Sequence, residues 1–129
     1  MDILLVDDNL LMQQVLERFL GSLGYRVMLA ARADEAVDQA RHAVVSLILM
    51  DLHLPDQDGP EALRLLRELP GYAHIPAIAM SGLDGPEARS LITSDFCAYV
   101  AKPIDLDALE QTVREYMLAA KARGSSVAN

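Results

Sequence analysis

The chain is expected to fold as an α/β domain around a five-stranded parallel sheet with five helices packed on its two faces. Three observations lead there. Short apolar or β-prone runs alternate five times with stretches of helical periodicity. The joints between them carry the Gly, Pro, Asp and Asn chemistry of turns. Strands that alternate with helices pair in parallel, because each helix supplies the crossover that a parallel connection needs. With 129 residues and 52% apolar content, the chain suits one domain with one continuous core.

The first strand is Ile3-Leu4-Leu5-Val6, a buried run that passes directly into the polar Asp7-Asp8-Asn9. Leu11, Val15, Leu16, Phe19, Leu20 and Leu23 recur at three and four, which predicts an amphipathic helix with its apolar side chains in the core, and Gly24 is placed to stop it. Residues 26–30 form a second, β-prone strand, and Ala33, Ala36, Val37 and Ala40 mark a second helix with small residues inward. The third strand, Leu47-Ile48-Leu49-Met50, ends at Asp51. Residues 52–59 are loop, Pro60 suits the first turn of a third helix, and that helix is expected to reach about Leu69. Pro76-Ala77-Ile78-Ala79-Met80 is the fourth strand, and after the turn at 81–85 a fourth helix starts near Pro86. Residues 98–101 make the fifth strand and Lys102-Pro103 a loop. Asp105 is the N-cap of a last helix through Leu106, Leu109, Val113, Met117 and Ala120. The division expected is a domain over 1–123 and a flexible tail over 124–129, too short to be an output module.

Charge and composition exclude several functions. Eleven Lys and Arg against 19 Asp and Glu give a formal charge of −8, which opposes direct binding to nucleic acid or anionic lipid. No apolar run approaches the roughly 20 residues of a membrane span, and Asp2 stands where a signal peptide would be basic. The expected location is cytoplasmic. Cys97 is the single cysteine, without a His or Cys at ligand spacing, and is expected to be a small buried apolar residue. His42 and His74 are expected at the surface.

In doubly wound, flavodoxin-like sheets of order 2-1-3-4-5, ligands bind beyond the carboxyl ends of strands one and three, where the strand order reverses. Those ends carry Asp7-Asp8 and Asp51. Strands four and five add Ser81 and Lys102, a hydroxyl and a positive charge, while strand two ends in Ala30-Ala31 and adds nothing. Three carboxylates drawn together repel unless a cation neutralises them, and oxygen-only ligands favour magnesium, with manganese as a substitute. A carboxylate nucleophile, a magnesium ion, a lysine and a hydroxyl are the parts that phosphoryl transfer to aspartate requires. Gly82 leaves room for a phosphoryl group, and serves equally well as a turn residue. Taken alone, Asp7 and Asp8 read as helix caps, Ser81 as a turn residue and Lys102 as a solvated surface lysine. Their common location at strand ends favours the functional reading.

With these residues in view, the sequence resembles the response-regulator receiver family. The resemblance runs through Asp7-Asp8-Asn9, Leu49-Met50-Asp51, the segment Leu54-Pro55-Asp56-Gln57-Asp58-Gly59, Ser81-Gly82 and Lys102-Pro103, and covers nearly the whole chain. It implies that Asp51 accepts a phosphoryl group and that Asp8 and Asp51 ligate magnesium directly. Asp7 would act mainly through water, and the backbone carbonyl of His53 would complete the protein ligands. Ser81 and Tyr99 would move on phosphorylation and switch the surface of the fourth helix, fifth strand and fifth helix, roughly residues 86–121. His53 and Leu83 would tune the lifetime of the phosphate. A histidine kinase or histidine phosphotransfer protein would be the donor, and a phosphorylation-dependent homodimer is compatible with the family. In style the sequence is similar to receivers of hybrid histidine kinases. Three departures stand out: Asp95 where the family commonly has Gly, Cys97 where a polar residue is common, and His53 itself.

Three rival readings fit the sequence less well. An aspartyl-nucleophile phosphatase of the haloacid-dehalogenase kind carries a second Asp two residues after the nucleophile, and here that position is His53. A flavin or dinucleotide module needs a Gly-rich loop after strand one, where Asp7-Asp8-Asn9 would repel a phosphate. A pseudo-receiver scaffold would not need the phosphorylation residues, and all are present. A signalling switch is therefore expected, rather than an enzyme that turns over an external substrate.

Overall fold

In a computed structural model the protein forms the expected sheet with the strand order β2-β1-β3-β4-β5, all pairs parallel. The structure describes residues 2–82 and 96–128, with side chains through residue 119. The strands are β1 (Asp2–Val6), β2 (Arg26–Ala30), β3 (Leu47–Asp51), β4 (Ala77–Ser81) and β5 (Ala98–Ala101). Among the described residues the helices are α1 (Leu10–Ser22), α2 (Ala33–His42), α3 (Gly59–Arg67) and α4 (Leu106–Ala128). The helix expected from Pro86 lies outside the described residues, as do Leu83 and Asp95.

Alternation along the strands divides the core between two faces. Leu4, Val6, Ile48, Met50, Ala77 and Ala79 pack with the alanines of α2 and with Ala62, Leu63 and Leu66 of α3. Ile3, Leu5, Leu47, Leu49, Ile78 and Met80 pack with Leu16 and Leu20 of α1 and with Leu109, Val113 and Met117 of α4. The three central strands are buried on both faces, which is why they read as unbroken apolar runs. Tyr72, fully buried beyond α3, donates its hydroxyl to the Ala43 carbonyl, and Arg67 donates to the carbonyls of Tyr72 and Ile75. Those bonds fix the loop that leads into β4.

Several local expectations change. In α1 the buried stripe is Gln13, Leu16 and Leu20, while Leu11, predicted inward, is 69% exposed and Val15 also faces solvent. The helix is apolar on more than one side, so its periodicity does not select a unique face. Helix α3 ends at Arg67, against the expected end at about Leu69, with Glu68 capping it through its N–H on the Leu65 and Leu66 carbonyls. Cys97 is exposed, not buried; Phe96 takes the inward position, and the thiol lies at the sheet edge, donating to the Ala77 carbonyl at 3.3 Å. The backbone of α4 stays helical to Ala128, past Gly124 where the sequence predicts a tail, since one glycine costs a helix only about 1 kcal/mol. No described helix is long and apolar enough to cross a membrane.

Gly24 and Gly59 are among the glycines that geometry requires. Gly24 has φ +97° and ends α1 in the left-handed conformation that the stop signal predicts. A Cβ on Gly59 would lie 2.9 Å from Leu52 Cα and 3.0 Å from the Asp51 carbonyl oxygen. Both are backbone atoms that cannot rotate away. Gly59→Ala is therefore expected to cost about 1–3 kcal/mol, read as a lower urea midpoint, with the largest amide shifts at residues 51–53.

Candidate functional site

Register and parity explain why three distant residues meet. Asp7 continues the alternation of Ile3 and Leu5, Asp51 that of Leu47 and Leu49, and Lys102 that of Val100, all on the α1/α4 side of the sheet. Val6 pairs with Met50, so the next positions on β1 and β3 are adjacent at the point where the strand order reverses. Carboxylate oxygens of Asp7, Asp8 and Asp51 lie within 4.8 Å of one another. The Lys102 ammonium spans two of them, 3.1 Å from Asp7 Oδ2 and 3.0 Å from Asp51 Oδ2.

Capping does not account for the two acids of the first loop. The N-cap of α1 is Asn9, whose Oδ1 accepts from the Met12 N–H at 3.1 Å. Asp7 is wholly buried, its Oδ1 accepting from the Asn9 N–H and its carbonyl from Gln13 Nε2. Asp8 is exposed. Asp51 is buried, and its Oδ1 accepts from the His53 N–H at 3.0 Å.

Charge in this cluster is unbalanced. Three carboxylates and one ammonium leave it at −2 when all are ionised. Burial pushes the Asp51 carboxyl above its ordinary range, and the His53 N–H and Lys102 only partly offset that. For Lys102, burial works to lower the ammonium, but its bonds to Asp51 and Asp7 outweigh it and hold it above the usual lysine value. The donor set suits a hard divalent cation: oxygen ligands only, an excess of two negative charges, and an exposed Asp8 that leaves space for water.

The remaining predicted residues surround this cluster. Ser81, fully buried, ends β4, and its carbonyl accepts from both the Lys102 N–H at 2.8 Å and the Tyr99 hydroxyl at 3.3 Å. Gly82 is exposed beside Lys102, and among the described residues a Cβ there would meet only the Lys102 Cβ, at 3.9 Å. Tyr99 is half-buried against the α2/α3 side of the core. His53 is an exposed loop residue paired with Asp58, and His42 and His74 are exposed. Leu83 lies outside the described residues.

Two contributors were not singled out from the sequence. Gln13 had a local signal, since it shares the buried stripe with Leu16 and Leu20 and is polar there. Asp56 had none: its carboxylate accepts from the N–H groups of Ala33 and Asp34 at the start of α2, more than 20 residues earlier in the chain.

A doubly wound sheet with an acidic cluster at its switch point and a lysine from the last strand is the arrangement of a receiver domain. The family model for the response regulator receiver domain matches residues 3–114, and the chain belongs to that family. Among its relatives, the polar-differentiation response regulator DivK of Brucella anthropi is 32% identical over 118 residues, covering 89% of this chain and 94% of DivK. The receiver domain of a Pseudomonas aeruginosa sensor histidine kinase, solved with a magnesium ion coordinated in its active-site cleft, superposes with a TM-score of 0.83 at 35% identity, covering 89% and 95% of the two chains. The chemotaxis protein CheY4 of Vibrio cholerae gives a TM-score of 0.83 at 25% identity, covering 89% and 97%.

Proposed function

We propose that this receiver domain, spanning residues 1–123, is the phosphoacceptor of a two-component phosphorelay, and that Asp51 takes the phosphoryl group from a phosphohistidine on a kinase or phosphotransfer protein. The observation that carries the reading is the Lys102 ammonium bridging buried Asp7 and Asp51 inside a cluster of three carboxylates. Asp8, Asp51 and the His53 carbonyl would hold magnesium, with Asp7 acting through water. When bound, the ion supplies positive charge to the phosphoryl oxygens.

An Asp51 carboxylate oxygen attacks phosphorus, the phosphorus–nitrogen bond of the donor breaks, and the imidazole leaves with a proton from solvent. Lys102 offsets the charge on one equatorial oxygen, and the Ser81 hydroxyl donates to another. Tyr99, bonded to the Ser81 carbonyl, would carry the change toward β5 and α4. The chemistry needs no second carboxylate as acid and base, and position 53 supplies none, so no turnover of an external substrate is expected.

Magnesium should raise the melting temperature of the wild-type chain. At a hundred times the Kd the gain is about 2.7 kcal/mol. Asp8→Asn should keep the metal-free melting temperature within about 2 °C of wild type, because the side chain is exposed, and lose most of the magnesium response. Equal magnesium responses in the two proteins would remove Asp8 from the ligand set. Phosphorylation itself is tested with acetyl phosphate as donor: labelling that persists after chelation of divalent ions would count against the metal-dependent reading.

A further inference from the structure

We propose that Asp56 is a positioning residue: by binding the first N–H groups of α2 it holds the loop after β3 in the place from which the His53 carbonyl can serve the metal. The inference rests on reading Asp8, Asp51 and His53 as a magnesium site.

The loop of residues 52–58 is closed at its base. Gly59 N–H donates to the Leu52 carbonyl at 2.8 Å, His53 pairs with Asp58, and the His53 N–H is held by Asp51. Beyond the base the tip projects Asp56 onto another element. Its Oδ1 accepts from the Ala33 N–H at 2.9 Å and its Oδ2 from the Asp34 N–H at 3.1 Å. Helix α2 needs this partner, because Arg32 at its N-cap position makes no side-chain capping bond. A carboxylate at a helix N-terminus is also favoured by the helix dipole. The contact thus serves both partners, completing a helix end and pinning the loop that carries His53. Groups that orient a metal's direct ligands typically change affinity 10- to 100-fold when removed.

Three variants separate positioning from simple loss of helix. Asp56→Ala removes both acceptors, and Asp56→Asn keeps one good capping oxygen. Asp38→Gly, on the exposed side of α2, weakens the helix and removes the same charge without touching the loop. Magnesium ion alone is titrated into each protein, well below its melting temperature, and followed by amide NMR. Asp56→Ala is expected to raise the magnesium Kd roughly tenfold, with Asp56→Asn and Asp38→Gly staying within about threefold of wild type. In metal-free protein the His53 amide should shift and exchange faster in Asp56→Ala than in Asp38→Gly. A wild-type Kd in Asp56→Ala, or an equal rise in Asp38→Gly, overturns the positioning role while leaving the metal site standing. A wild-type chain that takes no magnesium removes the metal-site reading and the positioning role together.

Discussion

Lys102→Ala is expected to cost about 3 kcal/mol at neutral pH in metal-free buffer, because it strands buried charges without their partner. The ammonium lies within 3.1 Å of two carboxylates, one of them wholly buried, and is itself only 21% exposed, so water cannot readily replace it. The pH dependence follows from the directions of the shifts. Lys102 is held above its ordinary value, so its contribution is complete below the usual lysine range and is lost as pH rises through the folded value. Asp51 is pushed upward by burial, so its ionised form costs stability at neutral pH, and that cost falls as pH drops through its folded value toward the unfolded one near 3.9. In Lys102→Ala the Asp51 carboxyl, without the ammonium that lowers it, protonates more readily still. The deficit against wild type should therefore shrink between neutral pH and about pH 5, and magnesium should recover part of it. Urea melts of the two proteins at both pH values, with and without magnesium, check this. An unchanged midpoint in Lys102→Ala would mean that the bridge contributes nothing.

Asp51→Asn should abolish phosphoryl acceptance completely while the metal-free chain melts at or above the wild-type temperature. The amide keeps the shape of the carboxyl and removes a charge that burial disfavours, and Lys102 keeps Asp7 as a partner. Relief of such a buried charge is worth about 1 kcal/mol, or about 4 °C in a domain of this size. Loss of function with gain of stability marks a residue held in place for chemistry. Thermal melts in chelator check the stability arm. A drop of several degrees would show that Asp51 is structural as well.

The parallel sheet was legible because strands alternate with helices and unbroken apolar strands need cover on both faces, and the acids were legible because they stand where those strands end. Parity on β1, β3 and β5 then brings Asp7, Asp51 and Lys102 to one side without any further signal. What escaped the sequence did so for physical reasons. Leu11 and Val15 face water because an apolar helix offers more than one plausible stripe, and Gln13 occupies the buried one to hold the Asp7 carbonyl. Cys97 lies outside because it leads into an edge strand, β5, and Phe96 just before it already fills the core position. The Asp56 contact joins residues far apart in sequence, so no local pattern announces it.

Everything turns on Asp51 as the acceptor. Incubation of wild-type protein and Asp51→Asn with acetyl phosphate and magnesium, followed by intact-mass spectrometry, tests this directly. One added phosphoryl group on wild type and none on Asp51→Asn is the predicted result; no adduct on wild type, or the same adduct on both, would contradict it.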